Sequence, residues 1–62
     1  MKFPNMKYVV KFNNCVGNTY AKHFKDALHD AKSIVSYKYA DIAVIYKIND
    51  DGSLSPVTYY SA

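Results

Sequence analysis

Residues 42–60 read IAVIYKINDDGSLSPVTYY, and the pattern of this stretch decides the class of fold. Ile42, Val44, Tyr46 and Ile48 alternate with Ala43, Ile45 and Lys47, the period-two pattern of a half-buried strand. Asn49-Asp50-Asp51-Gly52 suits a type I turn that ends on a left-handed glycine, a conformation glycine tolerates because it has no Cβ. Beyond the turn, Ser53 to Tyr60 reads as the returning strand. Pro56 within it cannot donate to a ladder, which assigns this strand to a sheet edge or sets its proline at a bulge. The stretch is therefore an antiparallel ribbon.

Working outward from the ribbon, Met6, Tyr8, Val10 and Phe12 alternate with Lys7, Val9 and Lys11. This predicts a strand over about 6–13 whose mainly apolar set faces the core. Asn13 to Asn18 has loop composition. Tyr20, Phe24, Ala27, Leu28, Ala31, Ile34 and Val35 then recur at spacings of three and four, predicting one helix over about 19–36 with Asn18 or Thr19 as its N-cap. Strands over about 40–48 and 53–60 complete the order β-α-β-β. The expected fold is a single α+β domain over residues 1–62, a three-stranded sheet with one helix packed on one face, preceded by a loose leader at 1–5. A right-handed crossover would set the first two strands parallel and adjacent, with the third outside them; the alternative puts the third strand at the centre with Pro56 at a bulge.

Sixty-two residues bury only about 60% of the surface that the unfolded chain exposes, so stability is thin and outside support is expected. Cys15 is the single cysteine. It excludes an internal disulfide and fits a reducing compartment, leaving self-association as the expected support. The sequence shows no signal-peptide pattern and no apolar run near the roughly 20 residues of a membrane span, so a cytoplasmic protein with no membrane partner is expected. All eight basic residues are Lys and all five acidic ones Asp, giving a net charge of +3. The lack of Arg removes the planar fork used for bidentate contacts to guanine and phosphate. It also accords with the codon usage of an AT-rich genome.

Candidate chemistry is sparse. His23, Asp26, His29 and Asp30 fall on the expected helix but lack a closed ligand set, and read as a solvated face with weak Lys22–Asp26 pairing. Cys15 with His23 or His29 would make a nucleophile–base pair, yet so small a chain has little room to enclose a substrate; an inert thiol is the simpler reading. Asp50-Asp51-Gly52 lacks the flanking ligands of a calcium loop. No enzyme activity, cofactor or metal is therefore expected. The sheet face away from the helix is the candidate site, with Lys7, Val9, Lys11, Ile45, Lys47, Val57 and Tyr59 expected to form it. Tyr59 and Tyr60 are adjacent in a strand and point to opposite sides, so Leu54, Thr58 and Tyr60 are the alternative set from the third strand. Apolar residues around tyrosine, rimmed by lysine, have the composition of a protein-binding surface. They also match a platform for exposed bases and phosphates.

The short strand, the helix with stripe Phe24, Ala27, Leu28 and Ala31, and the stretch AVIYKINDDGSLSPV together resemble the small accessory proteins of phages that infect low-GC bacteria. That group includes βαββ inhibitors of host enzymes and of anti-phage defence systems. The resemblance is one of size and layout over nearly the whole chain, and no functional residue is carried over from it. It implies a non-enzymatic protein-binding module that inhibits a host enzyme or defence complex by steric occlusion in the host cytoplasm, often as a homodimer. A small basic nucleic-acid-binding protein using the Tyr/Lys face is the alternative. A dimer would pair either strand edges or open faces, and Ile45→Lys would break only the second kind.

Overall fold

The computed structural model describes residues 6–14 and 17–62. The leader expected at Met1–Asn5 and the thiol of Cys15 lie outside them. The elements are β1 (Tyr8–Phe12), β2 (Thr19–Ala21), α1 (Phe24–Ser36), β3 (Ile42–Ile48) and β4 (Leu54–Ser61). They form one four-stranded sheet in the order β2-β1-β3-β4, with every neighbouring pair antiparallel.

This corrects the expected three-stranded β-α-β-β sheet. Thr19-Tyr20-Ala21 forms a short strand beside β1, with Val9 opposite Tyr20, and is not the first turn of the helix. The helix begins at Phe24, and its N-cap is His23, which is extended at φ −120 and ψ 149. Three residues are too few for a period to show, and Tyr20 and Phe24 lie four apart in sequence, so the segment merges with the helical stripe that follows. The consequence is topological. Because the chain reverses between β1 and β2, the helix connects β2 to β3, and these two strands run parallel to each other on either side of β1. The expected parallel neighbours are thus absent: β2 and β3 are separated by β1, and β1 and β3 are adjacent but antiparallel.

Residues directly opposite each other in a ladder share a face, so the register sorts the sheet into two. Toward the helix lie Tyr8, Val10 and Phe12, then Ala43 and Ile45, then Thr58 and Tyr60, with Thr19 and Ala21 on β2. Val10, Ala21, Ala43 and Ile45 join Ala27, Ala31 and Val35 of the helix in the core. The helix presents a stripe of small residues, Ala27 and Ala31 being fully buried, which lets its backbone approach the sheet closely. Ala43 accepts that approach, and Ile45 fills the space beside it.

Local hydrogen bonds set the ends of these elements. Asn13 Oδ1 accepts from the backbone N–H groups of Asp41 (2.9 Å) and Ile42 (3.1 Å), tying the end of β1 to the start of β3. The helix closes in a Schellman arrangement, with Tyr39 N–H donating to Ile34 C=O and Lys38 N–H to Val35 C=O. Lys38 holds the left-handed position there, at φ 64. The β3–β4 turn takes the form its sequence predicts: Gly52, at φ 89, donates to Asn49 C=O, and Asn49 N–H donates to Ser53 C=O. Asn49 Nδ2 also donates to the hydroxyls of Ser53 and Ser55. β4 lies at the sheet edge, as Pro56 predicts, and the register shifts beside the proline so that Val57 has no partner on β3.

Candidate interaction face

The helix covers one face of the sheet. The other face is built in rows that cross the strands: Tyr20, Val9, Tyr46 and Pro56; Lys11, Val44 and Tyr59; Ile48 and Leu54; Ile42 and Ser61. Tyr59 is 67% exposed, and Tyr20, Ile42 and Leu54 are exposed as well. Val9 is the exception, at only 2% exposed. It lies between Tyr20 and Tyr46 on the neighbouring strands, so the centre of the face is an apolar floor walled by tyrosines.

The face is shaped as well as apolar. A cleft of about 600 Å3 runs over its turn-proximal part, lined by Lys7, Val9, Lys11, Tyr20, Ile48 and Leu54 among others. Lys11 Nζ lies 5.8 Å from the centre of the Tyr46 ring, within the range in which the negative ring face attracts a cation. Lys7 and Lys11 therefore place positive charge along one side of the aromatic rows, Asp50 lines the turn end of the cleft, and the open-face residues of β4 itself are uncharged.

Of the residues expected at this site, Lys7, Val9, Lys11 and Tyr59 lie on the open face, and Val57 stands exposed at the irregularity in β4. Ile45 and Lys47 do not. Ile45 is 0% exposed beneath the helix, and Lys47, opposite Tyr8 and Ser55, is on the helix side at the sheet's end. The assignment of faces on β3 is thus the reverse of the expected one. Both of its faces are apolar, and the larger set, Ile42, Val44, Tyr46 and Ile48, reads as the core set on volume alone. The small-residue helix selects the face containing Ala43 instead. Val44, Tyr46 and Ile48 were missed at the site for this reason, whereas Leu54 joins Tyr59 on the open face because the register shift beside Val57 reverses the alternation along β4. The available signal was the alanine spacing at 27 and 31, which calls for a small partner across the interface. Ile45→Lys consequently cannot discriminate between kinds of dimer, since it charges the core.

Elsewhere the surface carries ordinary contacts. His29 Nδ1 and Asp30 Oδ1 are 3.9 Å apart and exposed, Tyr8 packs edge-on against Phe24 at 5.8 Å, and Lys32 Nζ lies 6.0 Å from the Tyr60 ring centre. Among the described residues, no three of His, Cys, Asp or Glu come together as a metal site would require. No helix among them is long and apolar enough to cross a membrane. The carboxyl of Asp51 is held below its ordinary pKa by hydrogen bonds from the Ser53 hydroxyl and backbone N–H, which makes it a turn-stabilising group. Compared with protein-family models, curated proteins and solved structures, the chain matches none of them.

Proposed function

We propose that this protein is a small non-catalytic module that binds another protein through the open sheet face. The observation that supports this reading is the run of exposed and half-buried side chains there: Tyr20, Tyr46, Val44, Tyr59, Ile42, Ile48 and Leu54. Aliphatic and tyrosine side chains at the centre with lysine at the rim have the composition of a protein interface core. Tyrosine in particular supplies large contact area at little cost in side-chain entropy. In the phage-accessory setting that the layout resembles, occupation of a host enzyme's surface by this face inhibits by steric occlusion. The test is photo-crosslinking from position 59 in cells, with position 29 on the outer helix surface as the comparison. A discrete adduct between position 59 and a protein other than this chain, absent from 29, supports the reading; equal labelling from both positions, or adducts with a second copy of this chain alone, overturns it.

The placement of Lys11 over the Tyr46 ring favours a second reading, in which exposed bases stack on the tyrosines and lysines meet phosphates. The aliphatic residues that interrupt the aromatic rows argue against it. Oligonucleotide binding that weakens steeply with salt, as counterion release demands, would move the assignment to this second reading.

A further inference from the structure

The outer edge of β4 is a surface distinct from the open face, and we propose that it is a self-association site. Two copies pair antiparallel along residues 57–61, about a two-fold axis at Tyr59, so that two four-stranded sheets become one continuous sheet.

The hydrogen-bond phase locates the site. Ala62 N–H donates to Asp41 C=O at 3.2 Å, and the alternation of an antiparallel ladder then turns the N–H groups of Tyr60 and Thr58 toward β3 and those of Ser61 and Tyr59 outward. On the turn side, Asn49 N–H donates to Ser53 C=O at 2.8 Å. That phase turns Ser55 inward and places positions 54 and 56 outward. Pro56 therefore removes an outward donor from the turn-proximal half of the edge without removing a bond to β3. The irregularity at Val57 reconciles the two phases. Proline and bulges are means by which proteins blunt an edge, and here they guard one half only.

The unguarded half is Val-Thr-Tyr-Tyr-Ser, rich in β-branched and aromatic residues and exposed except at Tyr60. The opposite edge of the sheet, β2, is three residues long and too short to serve as a template. A second copy is the occupant that the charges favour. Ser53–Ala62 contains no charged side chain, whereas the chain as a whole carries +3, so pairing two copies along this segment sets no like charges opposite each other in the ladder. A two-fold axis at Tyr59 also sets an outward bonding position against itself, so each copy donates and accepts identically, as an isologous interface requires. Pairing here extends the sheet sideways and leaves the open face free. The proposal therefore stands apart from the identity of any partner bound there.

Sedimentation equilibrium from low to high micromolar concentration, combined with amide hydrogen exchange, tests it. A concentration-dependent dimer is expected, with protection at Tyr59 and Ser61 rising about tenfold or more across that range while Thr58 and Tyr60 are protected throughout. Tyr59→Pro, which costs no bond to β3, is expected to leave a monomer. Tyr46→Lys, on the open face, is expected to retain the dimer. A monomer at every concentration overturns the proposal, as does a dimer without added protection at Tyr59 and Ser61, or one lost in Tyr46→Lys but kept in Tyr59→Pro. Should Tyr59→Pro fail to fold by circular dichroism, the exchange pattern of the unsubstituted chain decides alone.

Discussion

Lys38 occupies the left-handed region that ends the helix, where its Cβ crowds the following carbonyl at a cost of about 1–2 kcal/mol. Its side chain is exposed, so little packing is lost on replacing it. Part of the relief is offset by the greater freedom of glycine in the unfolded chain, and Lys38→Gly is expected to raise stability by about 0.5–1 kcal/mol, read as a higher urea midpoint. At Thr19 the buried hydroxyl has no partner among the described residues. Thr19→Val keeps the shape and removes the desolvated group, with an expected gain of about 1 kcal/mol in the same measurement. Asp51 is an exposed turn carboxylate whose pKa is lowered by the Ser53 hydrogen bonds. A lowered folded value means that its contribution is complete above the ordinary carboxyl pKa and disappears as pH falls through the folded one. Asp51→Ala is therefore expected to lower Tm at neutral pH and to shrink the further fall of Tm on acidification below about pH 4; an unchanged acid limb would contradict this. The turn chemistry at Asn49 to Gly52 was legible because it is local. The left-handed lysine was not, since nothing in Tyr37-Lys38-Tyr39 marks a helix end as glycine would.

At the scale of elements, the helix and the ribbon were legible because each carries its period over enough residues. The 13-residue helix repeats its stripe through Ala27, Ala31 and Val35, and β3 alternates over its full length. β2 was not legible, because a three-residue strand has no period of its own and borrows that of its neighbour. The helix–sheet interface also makes its own prediction. Ala31 is fully buried against the sheet, so Ala31→Leu overpacks the interface and is expected to cost about 1–3 kcal/mol. The same exchange at exposed His29, on the solvent side of the helix, is expected to be near neutral. Parallel urea titrations of the two variants check the assignment of the helix face, and equal midpoints would contradict it.

For the molecule as a whole, the decisive fact is that one helix covers one side of a sheet whose two faces are both apolar. Ile45 belongs to the covered side, and Ile45→Ala is expected to lose about 2–4 kcal/mol through burial and cavity terms. For a domain of this size that is a large fraction of total stability, and thermal melts should show a strongly lowered transition. Tyr59→Ala, on the open side, is expected to melt close to the parent. Half of the candidate site was legible in advance, through the alternation of Lys7, Val9 and Lys11 and the division between Tyr59 and Tyr60. The rest was not, because the choice of face on β3 is made by a partner element rather than by β3 itself. The sequence by itself determined that there is a helix, a ribbon with its glycine turn, and a proline that needs an edge or a bulge, since each follows from the local chemistry of residues near in the chain. Only the tertiary structure decided that Thr19–Ala21 reverses the chain and makes β1 and β3 antiparallel, and that Ile45 lies beneath the helix while Val44, Tyr46 and Ile48 face outward. The first outcome depends on the pairing of Thr19–Ala21 with β1 and the second on how closely two alanines allow a helix to approach a sheet, and both exist only once the elements have met.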